Sequence, residues 1–115
     1  MFEPLEIFDL AAARARHAAT RQNVVAQNIA NADTPGYRAQ SIAAFDDIYR
    51  RLGPDGLNSA DFSRTFDAKT PLSPNGNSVS LELEMVASVD AQRAHSRALN
   101  VYQSALNILR TSIGR

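Results

Sequence analysis

The stretch NIANADTPGYRAQ, residues 28–40, ends a long helical pattern and begins a tight turn. Asn31 belongs to a residue type that tolerates the left-handed conformation in which many helices end. Pro35 keeps the preceding Thr34 out of the helical region, and Gly36 is free to take the positive φ that the third position of a type II turn requires. The sequence therefore predicts that a helix stops here and that the chain makes a rigid elbow.

A long helix is predicted before the elbow, because small or apolar residues recur every three or four positions. Pro4 suits the first turn of a helix, and Glu6 and Asp9 place negative charge near the positive end of the helix dipole. The predicted heptad seam consists of Leu5, Phe8, Ala12, Ala15, Ala19, Ala26 and Ile29.

A second, longer helix is predicted after SPNGNSVS, residues 73–80. Ser78 or Ser80 can cap it, and Glu82 and Glu84 fall in its first turn, where negative charge is favoured. Its predicted seam is Leu83, Ala87, Ala91, Ala94, Ala98, Val101, Ala105 and Ile108, and a second apolar stripe is Leu99, Tyr102, Leu106, Leu109 and Ile113. A helix of about 33 residues spans roughly 50 Å, which exceeds the roughly 35 Å diameter of a compact chain of this length.

The sequence thus predicts a mainly α fold, in which two long terminal helices form an antiparallel coiled-coil-like hairpin. It is expected to be a single unit over residues 1–115, with an N-terminal helix over 1–31, an elbow turn, short helix and extended loop over 32–77, and a C-terminal helix over 78–115. A pair of helices lined mostly by alanine buries little apolar area. We therefore expect the helices to find partners on other molecules, although a bundle formed by a simple homodimer fits the pattern equally well.

The segment between the long helices predicts one further helix. SIAAFDDIYRRLGP, residues 41–54, has apolar residues at helical spacing, Ser41 as a candidate cap, and Gly53-Pro54 as a stop. Residues 54–77 are rich in glycine, proline, serine, asparagine and aspartate and predict a loop with at most one short hairpin. Two apolar anchors are expected there, Phe62 and Phe66.

Composition argues against several classes of partner. Twelve basic and twelve acidic residues give a formal net charge of zero, so the attraction that draws proteins to nucleic acid or to anionic membranes is absent. The chain has no cysteine, which excludes a disulfide framework and a thiolate metal site. MFEPLEIFDL, residues 1–10, carries acidic residues where a secretory signal needs positive charge, so we expect no cleaved signal peptide.

No catalytic or metal-binding pattern emerges from the sequence. His17 and His95 lie in different predicted helices, outside any serine–histidine–aspartate or His-Glu-x-x-His arrangement. The glycine turns GPDG and NGN lack the Lys-Ser/Thr that follows in a phosphate loop. We therefore expect no enzyme activity, no cofactor, no metal and no small-molecule substrate.

The charged clusters are interpreted as surface features. Neighbouring carboxylates do not face each other on a helix, so the pairs Asp46/Asp47 and Glu82/Glu84 are expected to be solvated. The one local basic cluster is interpreted as a solvated helix face or as a set of salt bridges between subunits, in preference to a phosphate site. It consists of Arg14, Arg16, His17 and Arg21.

Two motifs resemble those of the bacterial flagellar rod and hook family. The first is carried by NIANADTPGYRA, in which Tyr37 and Arg38 are also suited to contacting a neighbouring surface; its matching residues are Asn28, Asn31, Thr34, Pro35, Gly36, Tyr37 and Arg38. The second is carried by GNSVSLELEM, and its matching residues are Gly76, Asn77, Val79, Leu81, Glu84 and Met85. The resemblance extends over essentially the whole chain.

The resemblance implies a structural role in the proximal rod of the flagellar basal body, a periplasmic drive shaft. It also implies export in unfolded form through the flagellar type III apparatus. The implied partners are copies of the chain itself, the rod proteins FlgC and FlgF and the adaptor FliE, with the membrane ring and the export gate as further implied contacts. An alternative interpretation is a cytoplasmic helical adaptor or regulator that uses the same hairpin.

Overall fold

The computed structural model describes residues 4–114, which form three α-helices, two single-turn 3₁₀ helices (Pro54–Gly56 and Ala60–Phe62) and one two-stranded antiparallel sheet. The elements in chain order are α1 (Pro4–Ala30), β1 (Gln40–Ile42), α2 (Phe45–Leu52), β2 (Thr65–Asp67) and α3 (Leu81–Ile113). The predicted mainly α fold with two long terminal helices is confirmed. Residues 1–3 and 115, which the prediction assigned to those helices, lie outside the described residues. Over residues 4–114, no helix is both long enough and apolar enough to cross a membrane.

The two long helices pack side by side in opposite directions. At one end the rings of Phe8 and Tyr102 meet with centroids 4.9 Å apart, and at the other end Asn28 donates a hydrogen bond to Glu84. The chain measures 62 × 25 × 14 Å, and its radius of gyration is 17.3 Å, against about 13 Å for a compact domain of similar size. The helix pair therefore makes the molecule elongated.

The buried seam between the long helices repeats every seven residues. It consists of Ala11, Ala18 and Val25 from α1 and of Glu84, Ala91, Ala98 and Ala105 from α3. In α3 the predicted seam is right at its three buried alanines, but Leu83, Val101 and Ile108 are exposed. Their exposure follows from the narrow contact, because α3 packs on α1 through only one stripe.

The seam predicted for α1 is wrong by one position. Ala19 and Ala26 are exposed, whereas the residues just before them, Ala18 and Val25, are buried. Alanine occurs on every side of the first half of this helix, so several registers look alike in the sequence. The chain between the two long helices also buries a second side of α1. The sequence of α1 therefore shows no single apolar side from which the buried seam could be identified.

That intervening chain, residues 40–70, is called the inner segment here, and it packs on α1. Its small core joins Phe45 and Ile48 of α2 to Phe62 and to Ala13 of α1. The rings of Phe45 and Phe62 lie 4.9 Å apart. Ile48 is fully buried, so α2 is held by its apolar face, as its amphipathic pattern predicts.

Three details of the inner segment differ from the prediction. The N-cap of α2 is Ala44, with no side-chain cap, because Ser41 lies in β1 and pairs with Phe66 of β2. The sheet therefore joins strands on either side of α2 and is not a local hairpin. Phe62 is buried as expected, but Phe66 is half exposed. The predicted stop of α2 is confirmed, since Gly53 ends the helix with a φ of 71°.

Candidate functional site at the elbow

The two sequence motifs, which are separated by residues 40–75, meet at one end of the helix pair. Residues 28–40 and residues 75–84 are joined there by hydrogen bonds that the side chains of Asn28 and Asn77 donate and that the Ser78 hydroxyl accepts. We call this bonded group of two chain segments the elbow clamp. The sequence identified both motifs, but it contained no sign that they contact each other.

The turn has the geometry that its local sequence predicts. The Tyr37 amide donates to the Thr34 carbonyl at 3.2 Å, and Gly36 has a φ of +76°, as a type II turn requires. Gly76, from the second motif, has a φ of +83°, and a Cβ placed on it would lie 3.3 Å from the Gly36 Cα. Both glycines are therefore needed for backbone conformation, and Gly76 also for close approach.

The end of α1 is formed differently from the prediction. Asn31 does not take the left-handed conformation, because Lys69 is the only non-glycine residue with a positive φ among those described. Instead, the Asn31 side-chain amide donates to the Gln27 carbonyl at 2.9 Å, and its side-chain oxygen accepts from the Thr34 hydroxyl at 3.1 Å. The helix thus ends through side-chain hydrogen bonds.

Asn77 joins the second motif to the end of α1. Its side chain is 2% exposed, and its amide nitrogen donates to the carbonyls of Asn31 at 2.8 Å and Thr34 at 2.7 Å. Its side-chain oxygen accepts from the Val79 amide at 2.7 Å. A buried asparagine with all of these partners satisfies backbone groups that a helix end otherwise leaves unpaired.

Asn28 makes the corresponding connection from α1. It is 1% exposed, and its amide nitrogen donates to the Gln40 carbonyl at 2.8 Å and to Glu84 Oε1 at 3.0 Å. Its oxygen accepts from the Gln40 amide and from the Tyr37 hydroxyl. The expectation that Glu84 is solvated is therefore wrong: this carboxylate is buried because Asn28 supplies a donor.

The two side chains expected to contact a neighbouring surface are engaged within the chain. The Tyr37 hydroxyl lies 3.3 Å from Asn28 Oδ1, and Arg38 pairs with Asp67 at 3.0 Å. The exposed residues of the two motifs are Thr34, Pro35, Gly36, Arg38, Leu81 and Met85. Val79 is half buried and lies two residues before the first residue of α3.

Ser78 is a clamp residue whose role the sequence did not reveal. It was considered only as a helix cap, but Ser80 is the N-cap of α3. Ser78 is fully buried; its hydroxyl oxygen accepts from the Ala39 amide at 2.7 Å and its own amide donates to the Tyr37 carbonyl at 2.9 Å. This position needs a small side chain with a hydrogen-bond acceptor, and a serine in a polar loop of the sequence does not reveal that need.

The basic cluster of α1 is divided between different environments. Arg14 pairs with Asp46 at 2.8 Å and lies over the Phe45 ring, so it acts within the chain. His17 is buried, and its Nε2 donates to the Ala43 carbonyl at 2.8 Å. Burial lowers the pKa of His17, and the nearby arginine charges act in the same direction against the opposing effect of that hydrogen bond. The interpretation of the cluster as one solvated face is wrong for His17.

The described residues thus form an elongated helix pair whose end is held by side-chain hydrogen bonds to backbone groups. Residues 9–38 match the model of a family described as "Flagella basal body rod protein". The "Flagellar basal body rod protein FlgB" of Agrobacterium fabrum is 26% identical over an aligned span of 129 residues, covering 98% of this chain and 96% of that protein. Both findings confirm the resemblance stated from the motifs. The chain is thus similar to flagellar basal-body rod proteins, through the family model over residues 9–38 and through a relative over nearly its whole length.

Proposed function

We propose that this chain is a subunit of the proximal part of the flagellar rod, and that it assembles through its two long helices into the shaft that drives motility. In this proposal residues 1–115 act as one unit. The helix pair supplies the contacts between subunits, and the elbow clamp sets the angle at which the inner segment leaves the pair.

The observation that carries the proposal is the exposure of apolar side chains on both sides of the α3 seam. Met85 and Leu99, which directly follow the seam residues Glu84 and Ala98, are 64% and 49% exposed. Leu83, which directly precedes the seam, is 55% exposed. Since successive helical residues are rotated by about 100°, these side chains lie on opposite flanks of the helix.

This exposure favours association with further helices. Soluble monomers rarely carry long contiguous apolar surfaces that have no partner. Burying one leucine, valine or methionine contributes about 1.5–3 kcal/mol, so five such side chains supply on the order of 10 kcal/mol before the cost of association. Because the two flanks face different directions, two separate neighbours are needed to cover them.

The proposed rod subunit has defined partners and a defined export route. The partners are copies of the chain, the rod proteins FlgC and FlgF, and the adaptor FliE, with the membrane ring and the export gate as further contacts. Export through the flagellar type III apparatus, without a cleaved signal peptide, requires an unfolded chain. The absence of cysteine supports this route, because no disulfide can form before export.

The elbow motif and the second motif are proposed to serve assembly by keeping the clamp rigid. Gly36→Val forces a β-branched residue into a positive φ, which is strained for any residue with a side chain. We expect this variant to be exported and to accumulate outside the cell without entering the rod. Normal rods in the variant would refute this role for the elbow.

The test begins with mass spectrometry of purified basal bodies, together with a swimming assay on a strain that lacks the gene. The chain should be present in the rod fraction, and deletion should abolish swimming. Leu99→Glu, which places a charge on the exposed flank, should then remove the chain from basal bodies. The matched control, Asn100→Glu, changes an exposed polar neighbour and should leave assembly intact. Absence of the chain from basal bodies, with swimming intact after deletion, would favour the cytoplasmic adaptor.

A further inference from the structure

Exposed charges on α1 and α3 match each other in both order and spacing. Asp9 and Arg16 are one heptad apart on α1, and Asp90 and Arg97 are one heptad apart on α3; all four are exposed. When two helices with these sequences run antiparallel, the register that brings Asp9 opposite Arg97 also brings Arg16 opposite Asp90. Flanking charges of this kind set register and partner choice in coiled coils.

None of these four charges forms an ion pair among residues 4–114, although Arg93 lies one helical turn from Asp90. Every ion pair among the described residues involves other side chains, and Arg14, two residues from Arg16, is paired with Asp46. Arg16 makes one long side-chain hydrogen bond, at 3.5 Å to Asn58. The complementary pattern is therefore available to another molecule.

The pairing cannot form within one chain, because the two sets of charges point away from the seam on different sides of the helix pair. Asp90 and Arg97 each directly precede a seam residue of α3, whereas Asp9 and Arg16 lie on the side of α1 that faces away from α3. A second copy in the same orientation, placed beside the first, brings its α1 onto this strip of α3.

We propose that α1 of one copy packs antiparallel on the outward strip of α3 of the next copy, with Asp9 opposite Arg97 and Arg16 opposite Asp90. This inference rests on the proposed rod function and names one contact of the shaft. Within a chain, Phe8 lies level with Tyr102, so the intersubunit register is displaced by about four residues, or roughly 6 Å along the helices. The apolar side chains brought to this contact are Ala12, Ala19, Leu83 and Val101.

The contact uses different surfaces on its two sides, so each copy can offer α1 to one neighbour and α3 to another. Such heterologous contacts propagate, whereas a self-complementary contact closes as a dimer. The proposal therefore predicts an extended array and rules out the simple homodimer bundle for this interface.

Charge exchange tests the register directly. Asp9→Arg and Arg97→Asp, each alone, place like charges opposite each other, and the amount of chain recovered in basal bodies should fall about tenfold. The double variant Asp9→Arg/Arg97→Asp restores opposite charges and should recover assembly to within about threefold of the original chain. The double variant Asp9→Arg/Arg110→Asp has the same net charge but should show no recovery.

The outcomes separate this inference from the proposed function. If the single variants assemble normally, or if the matched double variant assembles no better than they do, the register is wrong. Loss of assembly by Leu99→Glu alongside normal assembly of the charge variants would leave the rod function standing and overturn this contact. Circular dichroism of each purified variant checks that these exposed substitutions leave the fold unchanged.

Cysteine cross-linking provides a second, independent measurement, because the chain has no cysteine of its own. Leu5→Cys and Val101→Cys, combined in one chain, occupy exposed positions that the proposed register brings together between copies. Within one chain, the two positions are offset along the helix axes by about four residues, and the axes lie about 8–10 Å apart. The two cysteines of one chain are therefore too far apart to form a disulfide. Oxidised basal bodies should yield a ladder of multimers; dimers alone, or no cross-link, would contradict the propagating contact.

Discussion

Asn28 should be among the most sensitive polar residues of this protein. Its side chain makes four hydrogen bonds from a buried position, and a typical net contribution is about 1 kcal/mol for each. Alanine is a better helix former than asparagine and returns about 0.5 kcal/mol. We therefore expect Asn28→Ala to lower the free energy of unfolding by about 3 kcal/mol.

The assay is urea unfolding of the dilute monomer, followed by circular dichroism at 222 nm. With a slope of about 1–2 kcal/mol per molar urea, the midpoint should fall by about 1.5–3 M. The matched control is Asn23→Ala, which removes an exposed asparagine from the same helix and should change stability by at most about 0.5 kcal/mol. A loss below about 1 kcal/mol for Asn28→Ala would refute the account of the clamp.

A negative charge at position 28 tests the contact between Asn28 and Glu84. Asn28→Asp keeps the shape of the side chain but replaces the amide donor with a carboxylate beside Glu84 Oε1, which lies 3.0 Å from the present donor. Two carboxylates at this distance repel each other, so at neutral pH the variant should be less stable than Asn28→Ala. Adding Glu84→Gln supplies a donor and should restore at least about 1 kcal/mol. Additive effects of the two substitutions would show that the residues do not interact.

Three further predictions concern other features. Gly36→Ala should cost about 1 kcal/mol through its positive φ alone, and Gly76→Ala should cost more because its Cβ also meets the Gly36 backbone at 3.3 Å; equal losses in thermal unfolding would contradict that contact. Because burial lowers the pKa of His17, the unfolded chain binds the proton more readily, so stability should be full above about pH 6.5 and should fall as the pH drops below it; His17→Gln should flatten this part of a stability profile measured from pH 8 to 5. Ile48→Ala should cost about 2–5 kcal/mol, against little for exposed Ile108→Ala, and similar midpoints for the two would argue against the inner core.

Local chemistry allowed the elbow turn to be predicted from the sequence. Pro35 and Gly36 restrict their own backbone angles, so a type II turn follows without reference to the rest of the chain. Gly53 ends α2 for a similar reason. The existence of both long helices was also predictable, because each repeats apolar residues over many turns.

The contacts between distant segments could not be predicted in the same way. Asn28 and Glu84 are 56 residues apart, and nothing in either neighbourhood requires the other. The buried seam of α1 was predicted wrongly for a different reason. Alanines occupy neighbouring positions of this helix, so several alternative seams contain the same residue type. Strand β1 was missed because only three of its residues pair, and their partner lies beyond α2.

The elbow clamp allows the inner segment to accept inserted residues at little cost in stability. Asn77 bonds directly to the Asn31 carbonyl, so the clamp closes a loop that contains the whole inner segment. The entropy lost on closing a loop grows only with the logarithm of its length, and doubling the loop costs about 0.6 kcal/mol. Residues inserted into an exposed loop of the inner segment would thus leave the helix pair almost unaffected. The inner segment can therefore be longer while the helix surfaces proposed to contact other subunits keep their geometry.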